Sequence, residues 1–136
     1  CKFITNSGVQ WLHKVPGRWA ALRDACDFFN LRHQFNSQRV ATENPIPHKY
    51  AVQAIGKYDQ LFQPWHFGHE KMKATCLWLK GLPLLTATSI ILPHWNGRYA
   101  NQTASGQNKL SPSENRQADR SRTYQGVAVA FAEQWG

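Results

Sequence analysis

A helical stripe followed at once by a strand constrains this chain more than any other feature. Over residues 18–32, Trp19, Leu22, Cys26 and Phe29 recur at spacings of 3, 4 and 3, the signature of one buried helix face. Cys26 lies on that stripe and reads as a core residue, since an unpaired cysteine is commonly buried. Residues 38–42 are polar but β-leaning and lead into Glu43-Asn44-Pro45, where proline ends the strand and forces a turn. Helix then strand is half of a β-α-β crossover, and its first strand would lie ahead of this chain and end at Cys1. Glu43 then stands at the carboxyl end of a strand. In open α/β sheets that lip is where ligands bind.

The remaining segments follow the same logic. Pro45-Ile46-Pro47 turns the chain, and residues 48–55 read as a short helix stopped by Gly56. Residues 60–63 read as a strand broken by Pro64. Trp65-His66-Phe67-Gly68-His69 is a ring-rich loop whose Trp65 and Phe67 suit packing better than base stacking. Residues 73–80 alternate, with Thr75, Leu77 and Leu79 on one face and Cys76 and Trp78 on the other. Residues 93–121 show little periodicity and read as a long polar loop of the functional or disordered kind. A last helix over 124–134 places Tyr124, Val127, Phe131 and Trp135 where they can pack on a sheet. The order predicts an α/β fold with a mixed sheet flanked by helices, in one domain of 136 residues.

Charge narrows the partners. The formal net charge is +8, which favours a polyanion such as nucleic acid. Arg98, Lys109, Arg116, Arg120 and Arg122 fall in or beside the long loop, where they would contact DNA. No run reaches the roughly 18 apolar residues of a membrane span, and the first ten residues lack the apolar core of a signal peptide. The three cysteines are too few and too widely spaced for a disulfide framework, which points to a reducing compartment, the cytoplasm. His66, His69 and Cys76 match no standard zinc spacing, so no metal is expected. The chain starts at Cys without an initiator Met, as a processed chain or a piece of a longer one would.

A cysteine and a glutamate at the ends of neighbouring parallel strands would face one crevice. A thiolate is a strong nucleophile that forms covalent adducts. A carboxylic acid can protonate a ring nitrogen and so make the ring electrophilic. The pairing suits attack on a pyrimidine.

These residues carry a resemblance. Cys1, then Asn6-Ser7-Gly8-Val9-Gln10-Trp11-Leu12, looks like the continuation of a Pro-Pro-Cys motif, and Glu43-Asn44-Pro45 looks like the Glu-Asn motif that follows it in DNA cytosine-5 methyltransferases. Gln63-Pro64-Trp65-His66-Phe67-Gly68-His69, the block 73–83, and Arg120-Ser121-Arg122-Thr123-Tyr124-Gln125-Gly126 are similar to further motifs of small phage and prophage methyltransferase-like proteins. The resemblance spans nearly the whole chain, the loop 93–118 least well. It implies a Rossmann-like methyltransferase fold whose N-terminal strands lie outside this chain. It implies that Cys1 adds to carbon 6 of a flipped-out cytosine and that Glu43 protonates or hydrogen-bonds ring nitrogen 3. It makes Tyr124, Gln125 and Gly126 cofactor contacts, and Lys73, Thr75, Arg120 and Arg122 DNA contacts. The cofactor would be S-adenosylmethionine, held mostly by an N-terminal complementing segment or chain that supplies the Gly-rich loop. The setting would be the cytoplasm of a bacterial or phage-infected cell. One departure is local: Gly68-His69-Glu70-Lys71-Met72-Lys73 stands where the resemblance has Gly-His-Gly-Glu-Thr-Lys. The alternative is a catalytically inactive methyltransferase-like module that binds DNA or protein.

Overall fold

The strongest periodicity becomes the longest regular element. Helix α1 spans Arg18–Asn30 and starts after Gly17, whose φ of 77° only glycine adopts without strain. The structure, a computed structural model, describes residues 2–107, 109 and 121–136. Leu22 and Cys26 are buried along α1, Phe29 is half-buried, and Trp19 keeps 42% of its surface exposed. The stripe therefore tilts toward its C-terminal half. A single 3-10 turn, Leu31–Gln34, follows α1. Arg32 fastens it, Nη1 donating to Phe29 O at 3.2 Å and Nη2 to Ile55 O at 2.6 Å.

Strand β1 runs Val40–Pro45, helix α2 Lys49–Ile55, strand β2 Gln60–Phe62, strand β3 Thr75–Lys80 and helix α3 Gln125–Trp135. The expected boundaries shift by a residue or two, with Pro45 inside the strand as its last member. The three strands form one sheet in the order β1-β3-β2. β3 runs antiparallel to β1, with Val40 opposite Lys80 and Glu43 opposite Leu77. The fold is thus α/β in the general sense, helices with a small sheet, and the described neighbour of β1 is antiparallel.

The chain divides into two compact units, Cys1–Leu61 with Thr75–Leu84, and Phe62–Ala74 with Leu85–Gly136. In the first, alternation decides the layers. Asn44 and Thr42 share a sheet face with their partners Cys76 and Trp78. That face packs on α1 and α2, where Ile4, Leu22, Cys26, Ile55, Cys76 and Trp78 join in one core. Trp78 is its hub. Its ring meets Phe29 at 4.8 Å and Tyr58 at 6.1 Å, and its indole N–H donates to Gly56 O at 3.0 Å. Burial raises both thiols, Cys76 to about 11, as expected for core cysteines. Gly81 closes the β3 end, because a β-carbon there would lie 2.0 Å from Gln38 O.

The second unit has one described long helix. On α3, Val127 and Ala130 are buried, and Phe131 meets Phe62 at 6.0 Å. The rest is irregular but tightly bonded. Trp65 stacks on Tyr99 at 5.8 Å, and Tyr99 donates its hydroxyl to Ile91 O at 3.0 Å. Asn101 exchanges two hydrogen bonds with the backbone of Met72, both 2.8 Å. Gln134 does the same with Thr86. The segment read as a featureless polar loop is, over residues 93–107, a folded run without helix or strand. Among the described residues no helix is long and apolar enough to cross a membrane.

Candidate functional site

Glu43 sits two residues from the end of β1, on the face it shares with Pro45, Leu77 and Thr75. Its carboxylate is exposed, and among the described residues no hydrogen bond or ion pair engages it. Thr75 opens β3 opposite Pro45 and is buried. Next to Glu43 the backbone is fixed. Asn44 is buried on the opposite face and donates its side-chain amide to Pro45 O at 2.8 Å.

Beyond Pro45 the chain meets its own beginning. Asn6 N donates to Ile46 O at 2.9 Å and His48 N donates to Ile4 O at 3.0 Å, around an antiparallel bridge between Thr5 and Pro47. His48 makes the joint firm. It caps α2 by accepting at Nδ1 from Ala51 N, 3.1 Å. That leaves Nε2 to carry the proton and to donate to Phe3 O, 3.0 Å away. The ring is fully buried. Residues 3–6 are therefore seated against 46–48, directly after Glu43-Asn44-Pro45. Cys1 lies outside the described residues. Sequence reading took His48 as a helix start alone; its position after Pro-Ile-Pro was the only local signal of more.

The second unit gathers another set. Tyr124 caps the start of α3, half-buried, with the His69 ring 5.1 Å away. The ammonium groups of Lys71 and Lys73 lie 5.8 and 5.7 Å from its ring centroid. Burial raises the Tyr124 phenol, which keeps it a neutral donor. Lys73 also ties the segment down, Nζ donating to Arg122 O at 3.1 Å and its backbone N–H to Gln63 Oε1 at 2.9 Å. Gly126 gives its N–H to His69 Nε2 at 2.9 Å. No other residue fits there, since a β-carbon would stand 2.1 Å from Phe67 O. Gln125, the first residue of α3, is exposed.

Tyr124, Gln125, Gly126, Lys73 and Arg122 thus come together, joined by Lys71 and His69. Arg120 lies outside the described residues. Lys71 was missed because a lysine in a loop carries no periodic signal. A ring bearing two ammonium groups suits a ligand that is both planar and anionic. His66 and His69 spend ring nitrogens on Gln63 N and Gly126 N. Among the described residues no group of three His, Cys, Asp or Glu could hold a metal ion. An open groove of about 160 Å³ in the first unit is lined by Arg32, Thr42, Asp59, Trp78 and Lys80, and Glu43 is not part of it.

No family model, no curated protein and no solved structure matches this chain.

Proposed function

We propose that this chain carries the nucleophile and the acid of a DNA cytosine-5 methyltransferase in a Rossmann-like setting. The observation that supports the reading most is the joint between residues 3–6 and 46–48. It ties the stretch after Cys1 to the stretch after Glu43, and it leaves the Glu43 carboxylate unengaged among the described residues.

The chemistry follows from the two groups. The Cys1 thiolate adds to carbon 6 of the extruded base, forming a carbon–sulfur bond. Glu43 donates a hydrogen bond or proton to nitrogen 3 and so accepts the electron density pushed into the ring. Carbon 5 becomes nucleophilic; S-adenosylmethionine, when bound, would supply the methyl group there and leave as the neutral thioether S-adenosylhomocysteine. A base, water included, would then take the carbon 5 proton, and the electron pair of that C–H bond would expel the thiolate and restore the aromatic ring. Getting the base out of its stack costs a few kcal/mol, which phosphate contacts can offset. Lys73, Thr75, Arg120 and Arg122 take that role here. Tyr124 and Gln125 offer the cofactor a ring and an amide. Gly126 offers neither room nor an N–H, because Phe67 O and His69 Nε2 already fill the space beside it.

The test is transfer of labelled methyl to cytosine-containing DNA by the chain joined to a segment that supplies a Gly-rich cofactor loop. Wild type should incorporate label and Cys1→Ser none. Glu43→Gln should lose on the order of 100-fold or more, while stability moves by less than about 0.5 kcal/mol because the side chain is exposed. Equal, nonzero counts from all three proteins would refute the roles. Salt-sensitive DNA binding without any transfer would favour the inactive binding module.

A further inference from the structure

Residues 2–23 carry Lys2, Lys14, Arg18 and Arg23 and no Asp or Glu at all; the first carboxylate side chain is Asp24. The first unit lays most of these cations on rings. Lys2 Nζ and Arg18 Cζ each lie 5.1 Å from the centroid of Phe3. Lys14 Nζ lies 6.0 Å from that of Trp11, and Lys49 Nζ 4.9 Å from that of Tyr50. Trp19 stands among them. His13 and Tyr50 form T-shaped pairs with it, at centroid distances of 5.3 and 5.1 Å and interplanar angles of 69° and 72°. Among the described residues no Lys or Arg covers the Trp19 ring, and Trp11 and Trp19 keep 43% and 42% of their surface exposed.

Surface rings with cations on them stabilise a fold modestly. That modest gain explains single pairs. It does not explain a braced but open indole inside a field of one sign. Sequence-tolerant binding of single-stranded nucleic acid needs those two things together: an aromatic face for an unpaired base and cations for the phosphates beside it. In a duplex the bases are stacked on each other and have no face to give. An anionic membrane would also attract the cations. Insertion, however, calls for apolar groups reaching about 5–10 Å into the interface, and Trp11 and Trp19 keep more than half of their surface in the protein.

We propose that this face docks single-stranded nucleic acid, with a base stacked on Trp19 and its flanking phosphates against Arg18 and Lys49. The inference needs neither Cys1 nor a methyl donor, so it stands or falls apart from the reading of methyl transfer.

The experiment is a fluorescence anisotropy titration of the whole chain with labelled oligothymidylate, without methyl donor, against a duplex of equal length and against phosphatidylserine vesicles. Single strand should bind more tightly than duplex. Trp19→Ala should weaken it about tenfold or more, while Trp19→Phe keeps most of the affinity and reports that the fold is intact. The pair Arg18→Gln with Lys49→Gln should lower the slope of log affinity against log salt by about 1.4, the effect of two single-strand phosphate contacts. Wild-type affinity in Trp19→Ala, tighter duplex binding, or an unchanged salt slope in the paired variant would overturn the proposal. So would vesicle binding that depends on Trp19 when oligonucleotide binding does not.

Discussion

The two units solve the same problem by different means. The first buries its polar backbone in helices and a sheet and fills the space between with apolar side chains around Trp78. Among its described residues the second has little regular structure beyond α3 and uses side-chain amides, hydroxyls and rings to satisfy irregular backbone, as Asn101 does for Met72 and Gln134 for Thr86. The lesson concerns where stability resides. In the first unit it resides in burial, which is non-directional and spread over many contacts. In the second it resides in a few directional bonds, each hard to replace.

Truncating Trp78 to alanine removes the hub of the first core and its bond to Gly56, and should cost about 3–5 kcal/mol, read by denaturant unfolding. A loss below about 1 kcal/mol would mean that the core closes around the gap, and the contrast between the units would weaken. Gly126→Ala attacks the second unit at its tightest approach, Phe67 O and His69 Nε2. It should cost about 1–3 kcal/mol and expose the amide of Gly126 to hydrogen exchange. Unchanged exchange there would show that the loop yields without loss. The smallest effect is a pH dependence confined to the second unit. Burial holds the His66 imidazole below the usual histidine range, and its Nδ1 accepts from Gln63 N as the neutral ring. A lowered value means that this contribution is complete above about pH 6.5 and fades as the pH falls through the folded value. Melting followed from pH 7.5 down to 5 should show the loss, and His66→Gln should flatten it.

The same contrast explains what could be read in advance. α1, β3 and α3 have apolar residues at a period, and the period announced them to within a residue or two. Pro45 and Gly56 marked ends because one removes a donor and the other adopts φ of 79° at the stop of α2. The antiparallel pairing of β1 and β3 was not legible, since both orders of pairing give the same alternation of faces. Residues 93–121 were taken for a loop because Asn, Gln and Ser carry no period, yet in the described part Asn101 and Gln102 make bonds that order it. Of the candidate site, Glu43 was visible through the strand that stops beside it. The bond from Gly126 to His69, the ring of Tyr124 between Lys71 and Lys73, and the role of His48 all join residues far apart in sequence, where composition is silent.

His48 reaches across 45 positions to Phe3. Such a contact closes a long loop, and the entropy of closing it must be met before the bond returns anything. Local helices can form on their own schedule, but this seam cannot. The opening residues of the chain are therefore held only while α2 presents the imidazole that receives them, and losing that bond would loosen their hold on residues 46–48.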